Sequence, residues 1–161
     1  MSKEGTESVA VSTELVSGGL VGRYDYALDP KKRFTIPSVW RAVMGNPEYV
    51  YVMPDPKERC LDLVPVAEME VRLAKLREKA LFDPAANRAL QTIGSVSELP
   101  TLDIQGRIRI SDKLLQFANL TTTVAMLGSV RMVKLWDPKS LAPAETVDQE
   151  ALASALADVG F

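Results

Sequence analysis

The sequence predicts an α+β, β-rich fold built from two similar halves. Three observations point to it. The stretch YALDPKKRFTIP at residues 26–37 returns as PTLDIQGRIRIS at 100–111, so that Leu28-Asp29, Arg33 and Ile36 are matched by Leu102-Asp103, Arg107 and Ile110 at an offset of 74. Each copy is followed by the same succession of signals, a short helix and then two strands. The composition is that of a globular chain: 161 residues, 47% hydrophobic and 25% charged, enough for a buried core and against wholesale disorder.

Residues 1–19 are polar, rich in Ser, Gly, Thr and Glu, and aperiodic, which predicts a disordered lead. The first repeat spans 20–64. Its helix is PSVWRAVMG, with Pro37 suited to a first turn and Gly45 to the stop, and its later strands are YVYVM (49–53) and RCLDLV (59–64). A helical connector follows over 65–97. In it Val66, Met69, Leu73, Leu76 and Ala80 keep the three-to-four spacing of an apolar stripe, a pattern that usually marks core but can also receive a partner. Asp83-Pro84 then opens a second helix that Gly94 is expected to end. The second repeat spans 98–141, with Ser111 as the helix cap of SDKLLQFANL and strands TTVAML (122–127) and RMVKLW (131–136). Arg59 and Leu63 align with Arg131 and Leu135 at an offset of 72, so a loop has lost two residues. An acidic tail, 142–161, reads equally as a last helix or an irregular end.

Net charge is −2, which at first argues against a nucleic-acid partner. Its distribution argues the other way: residues 1–22 hold −2, residues 137–161 hold −4, and the segment between holds +4. Arg23, Lys31, Lys32, Arg33 and Arg41 face only Asp25 and Asp29 within residues 23–41. Because salt screens distant charge, such a local basic patch can bind phosphate on an acidic protein.

A period of two fixes the faces of the repeated strand. In RFTI, Phe34 and Ile36 share one face, and Arg33 and Thr35 the other; in RIRI, Ile108 and Ile110 oppose Arg107 and Arg109. The apolar side belongs to the core, so the arginines face solvent. With Leu28 and Leu102 on the incoming segment, each unit reads as a hairpin with an acid at its tip, and the first tip adds Lys31 and Lys32. As turn chemistry, Asp29 and Asp103 bond their own following backbone and merely pair with Arg33 and Arg107. As recognition chemistry, arginines on a rigid ribbon enter a major groove and pair bidentately with guanine. The two readings are compatible, since an aspartate can orient the arginine that reads.

The segments GRYDYALDPKKRFTIP, RALQTIGSVSE, LDIQGRIRI and LGSVRMVKLWD together resemble the MraZ family of bacterial transcriptional regulators, over the chain from about Leu20 onward. The resemblance implies an AbrB-like swapped-hairpin fold, doubled in one chain around a small β-barrel-like core with short helices. It also implies a cytoplasmic, nucleoid-associated homo-oligomer, in a large ring. Such a ring would bind short G-rich direct repeats in promoter double-stranded DNA upstream of its own division and cell-wall operon. The DNA-contacting candidates carried over are Asp29 with Arg33, Asp103 with Arg107, and Lys31 at a basic turn position. Lys32 and the outward-facing Arg109 complete the basic set. One departure stands out: the family commonly has Gly before the first Arg, as Gly106 precedes Arg107, whereas this chain has Lys32. If that position needs a positive φ, Lys32 is strained.

Other classes fit less well. No histidine and a single cysteine leave no Ser-His or Cys-His pair and no zinc set, so the sequence predicts no enzyme, cofactor or small-molecule substrate. GGLVG at 18–22 lacks the Lys-Ser/Thr of a phosphate loop. Cys60, in the alternating strand RCLDLV, is expected to be packed and unreactive. No signal peptide is expected, and no apolar run approaches the ~18–20 residues of a membrane span. The remaining rival is a protein-interaction module of antitoxin-like fold.

Overall fold

The computed structural model describes residues 18–161; the lead expected over 1–19 lies outside the described residues except for Gly18 and Gly19. The elements in order are β1 (Arg23–Ala27), β2 (Arg33–Thr35), α1 (Ser38–Val43), β3 (Tyr51–Pro54), β4 (Leu61–Val64), α2 (Val66–Ala80) and α3 (Pro84–Val96). They continue with β5 (Arg107–Arg109), α4 (Asp112–Phe117), β6 (Thr123–Gly128), β7 (Val133–Trp136), a 3-10 turn (Pro138–Ser140) and α5 (Gln149–Ala157). The class is α+β, as expected. It is less β-rich than the sequence suggests, because the α2–α3 connector puts more residues in helix than in strand.

Local chemistry sets most boundaries. Pro37 precedes α1 with ψ 139°, and Gly45, at φ +81°, follows the last turn. Asp83 and Ser111 cap α3 and α4 by accepting from the amides of Ala85 and Leu114. Gly94 does not end α3. The helix runs on to Val96, and Ser97 closes it, its hydroxyl donating to the Ile93 carbonyl at 2.6 Å. The acidic tail contains α5, capped by Asp148 and exposed except at the half-buried Leu156.

Five strands make one antiparallel sheet in the order β1-β6-β7-β4-β3, and β2 and β5 make a separate two-stranded ribbon. No closed barrel forms among the described residues; β1 and β3 remain the sheet's edges. The registers carry the repeat into three dimensions. In the ribbon, Phe34 lies opposite Ile108, its own counterpart at the offset of 74. Tyr24 pairs with Met126, and their counterparts Glu98 and Val52 form an isolated bridge. Ala27 pairs with Thr123, and Thr101 bridges Tyr49 in the same way. In β4–β7, Asp62 faces Lys134, its counterpart at the offset of 72. The first strand of each half therefore pairs with the third segment of the other half.

This corrects the picture of two self-paired hairpins. Apart from the turn bonds of the Asp29 amide to the Arg33 carbonyl (2.9 Å) and the Lys32 amide to the Asp29 carbonyl (2.8 Å), with their equivalents in the second unit (3.0 and 2.9 Å), neither unit closes a ladder on itself. The aspartates tie each unit into a tight loop, so the incoming strand diverges to the sheet and the outgoing strand finds its partner in the other half.

The main core fills the space between ribbon, sheet and helices: Phe34, Ile36, Trp40, Ile108, Ile110, Leu114, Val124, Met126 and Leu135 are all essentially buried. The connector stripe is core as well. Met69 and Leu73 pack with Val64, Leu76, Leu90, Ile93 and Met132. Glu68, buried in the first turn of α2, accepts from Arg72 at 2.6 Å and from Arg131 at 3.1 Å, and this fastens the connector to the β6–β7 turn.

Candidate nucleic-acid interface

The ribbon presents what alternation demands. Phe34 and Ile108 point inward, while Arg33, Thr35, Arg107 and Arg109 stand on the outer face, with Arg33 opposite Arg109 and Thr35 opposite Arg107. Because β2 and β5 are antiparallel, the loops that precede them sit at opposite ends of this face. All seven residues singled out in the sequence (Asp29, Lys31, Lys32, Arg33, Asp103, Arg107 and Arg109) thus belong to the ribbon or its two loops.

The loops are built alike. Asp29 Oδ1 accepts from the amides of Lys31 (2.9 Å) and Arg33 (2.8 Å), and its Oδ2 accepts from Arg33 Nε at 2.8 Å. Asp103 repeats this with Gln105, Arg107 and Arg107 Nε at 2.9, 2.9 and 2.7 Å. The following Arg amide first, then the guanidinium of the same residue, hold both carboxyls below the usual carboxylate range. Both aspartates are therefore ionised at neutral pH. Each fixes one edge of its arginine, while among the described residues the Nη atoms of Arg33 and Arg107 have no hydrogen-bond partner. The turn reading and the recognition reading are the same geometry: the carboxylate shapes the loop and aims the fork.

One of the three differences between the loops concerns the backbone. Lys32 has φ +61° and Gly106 φ +80°, so the conformation is left-handed in both and Lys32 adopts it against its Cβ. The reason for the different residues lies beneath them. Arg41, from α1, lies over Gly106 and donates its Nε to the Ile36 carbonyl at 3.0 Å, and a Cβ on Gly106 would collide with that guanidinium. The counterpart of Arg41 is Leu115, a buried core residue, which leaves room beside Lys32. Lys32 uses that room to reach Asp112 at 2.6 Å. Arg41, counted in the sequence only as part of the basic patch of 23–41, is thus the residue that supports the second loop. The Lys32→Gly variant is expected to be more stable by about 0.5–1 kcal/mol, because relief of the left-handed strain exceeds the loss of an exposed ion pair and the added freedom of the unfolded chain. Urea unfolding at constant slope checks it; an unchanged or lower midpoint would show that the strain is not there.

Lys31, Lys32, Arg33 and Arg109 line a shallow groove with Pro30 at the first loop, where Arg109 Nε donates to the Lys31 carbonyl at 3.2 Å. The second loop carries no lysine. The basic charge is therefore concentrated at one end of the ribbon.

Among the described residues, one buried cluster has ligand-type atoms close together: Asp55, Cys60 and Asp62, within 4.8 Å of one another. Its cation is already supplied. Lys134 Nζ lies 2.5 Å from Asp55 and 2.8 Å from Asp62. Burial, with the charges of Asp55 and Asp62, pushes the Cys60 thiol up to about 12, so it is a packed thiol, as expected of it, and not a thiolate ligand.

The geometry can be set beside known proteins. "Transcriptional regulator MraZ" of Corynebacterium jeikeium (strain K411) is 31% identical over 121 residues, covering 75% of this chain and 82% of that protein. The chain belongs to the MraZ family of transcriptional regulators. MraZ proteins of Clostridium acetobutylicum (25% identical over 143 residues, 88% of this chain and 99% of the relative) and Mycolicibacterium gilvum (28% over 135 residues, 83% and 92%) are also similar. No protein-family model matches the chain. Membership in the MraZ family makes this protein a transcriptional regulator. The relatives are named as transcriptional regulators, and those names indicate no catalytic activity. No helix among the described residues is long and apolar enough to cross a membrane.

Proposed function

We propose that this protein regulates transcription by binding duplex DNA sequence-specifically through the outer face of the β2–β5 ribbon and its two loops. The observation that carries the reading is the repeated Asp–Arg clamp: two arginines, each with Nε held by an aspartate and its Nη atoms outward, at opposite ends of one rigid two-stranded surface. A ribbon of that width fits a major groove, and a preoriented guanidinium matches guanine O6 and N7. Asp29, Arg33, Asp103 and Arg107 form the reading elements, while Lys31, Lys32 and Arg109 contribute phosphate contacts.

We further infer that each half, 20–64 and 98–141, is an AbrB-like swapped-hairpin repeat, joined by the connector 65–97 and followed by the acidic tail; the crossed strand registers support this. The DNA is then promoter DNA with short direct repeats, upstream of the protein's own division and cell-wall operon. Several copies in a ring would hold it, each weak contact raising the effective concentration for the next.

The test is binding to a labelled duplex from upstream of the gene, beside a scrambled duplex and across a salt series, for wild type and for Arg33→Ala/Arg107→Ala. Selective, salt-sensitive binding by wild type is expected. Each arginine is expected to contribute about 1–3 kcal/mol at an engaged site, lost on the cognate duplex only. Wild-type affinity no better for the upstream duplex than for the scrambled one would refute the reading and favour the protein-interaction module.

A further inference from the structure

At the centre of the second loop, one side chain has no role in the fold. Ile104 is 99% exposed, the most exposed of the large apolar residues among those described. Loop tips ordinarily take polar or turn-forming residues, and an isoleucine held in water gains nothing from packing. It is not on a floppy segment. Asp103 accepts from the amides of Gln105 and Arg107, the Gly106 amide donates to the Asp103 carbonyl at 2.9 Å, and Arg41 covers Gly106 from below. The loop thus projects a β-branched hydrocarbon, three residues before Arg107, from the same rigid surface that aims the arginine fork outward.

A major groove offers one apolar group at its base edges, the 5-methyl of thymine. We propose that Ile104 packs on a thymine 5-methyl group and is a specificity-determining residue of the second loop, a role that rests on the DNA-binding reading above. The first loop lacks this element: its counterpart at the offset of 74 is Pro30, followed by Lys31 and Lys32. The two ends of the ribbon therefore read differently, the first through arginine and phosphate contacts, the second through arginine and a methyl contact. The charge asymmetry of the groove fits this division, since an end without lysines relies more on contact with bases.

The test uses the full chain and the upstream duplex, with each thymine of the bound region replaced singly by deoxyuridine, which removes only the methyl. Wild type is expected to lose about five- to tenfold in affinity at one thymine per bound repeat, the worth of one methyl buried on both sides. Ile104→Ala is expected to lose a similar factor on the thymine duplex and to be indifferent to the same replacement, so that the two losses do not add. The residue is fully exposed, so the variant folds; a circular dichroism melt verifies it. Uniform tolerance of deoxyuridine by wild type, within twofold, would overturn the proposal while leaving DNA binding intact. So would methyl sensitivity that persists in Ile104→Ala. A smaller particle by light scattering, with methyl sensitivity unchanged, would make Ile104 a contact between copies instead. Failure of wild type to prefer the upstream duplex at all is the separate failure of the DNA-binding reading, and the proposal falls with it.

Discussion

Trp40→Ala is expected to cost about 3–5 kcal/mol, the range for emptying a large core site. Trp40 is 1% exposed, meets the Tyr24 ring edge-on with centroids 4.9 Å apart, and donates its indole N–H to the Val21 carbonyl at 2.8 Å. Truncation removes the volume, the aromatic contact and a half-buried hydrogen bond together. Trp40→Phe separates them: it keeps most of the volume but leaves the Val21 carbonyl without its donor, so a smaller loss of about 1–2 kcal/mol is expected. Urea unfolding of both variants checks this, and losses below ~1 kcal/mol in the alanine variant would mean the site collapses to fill itself. DNA binding should fall as well. Trp40 seats α1, α1 carries Arg41, and Arg41 supports the second loop.

Lys134→Met is expected to destabilise by about 3 kcal/mol, the lower end of the range for breaking a buried pair, since the Lys134 side chain keeps 27% of its exposure. Burial works against the charge of Asp55, but hydrogen bonds from Lys134 and from the amides of Lys57 and Glu58 outweigh it, and its carboxyl sits well below the usual range. Burial pushes Asp62 the other way, with the Lys134 bond opposing. For Asp55 the sign is clear: a depressed folded pKa contributes stability above the unfolded value, and that stability is lost as pH falls through the folded one. In Lys134→Met the carboxyls lose their counter-ion and their folded pKa values rise. Their protonation then stabilises the variant at low pH and is lost as pH rises. The deficit relative to wild type should be largest at neutral pH and shrink toward pH ~4. A deficit independent of pH would show that packing, not charge, is what the lysine supplies.

Much of this was legible in the sequence. The repeat, the faces of the RFTI and RIRI strands, the buried stripe of α2 and the caps at Asp83 and Ser111 all follow from local spacing. Even the strain at Lys32 can be read by setting it beside Gly106. Strand partners were not legible, because a period of two tells which face a strand buries and not which strand lies beside it; β2 with β5, and β1 with β6, are pairings between halves. Gly94 misled because a glycine only permits a helix to stop, and Ser97, three residues on, does the stopping. The supporting role of Arg41 and the Asp55–Asp62–Lys134 cluster were not legible for one reason. The partner of Arg41, Gly106, lies far away in sequence, as Lys134 does from Asp55 and Asp62, and only the fold brings them together.

Asp62 opposite Lys134 has a consequence for the chain's history. Two identical single-unit chains wound about each other would put the same residue on both sides of that crossing, carboxylate against carboxylate or ammonium against ammonium, at a site largely closed to water. Covalent fusion removes this constraint, because each side can then mutate alone. The halves have used that freedom at Asp62 and Lys134, and again at Lys32 and Gly106. They are no longer interchangeable: a chain carrying the first half twice would bury its acidic pair without a cation, and one carrying the second half twice would bury the cation without an acid.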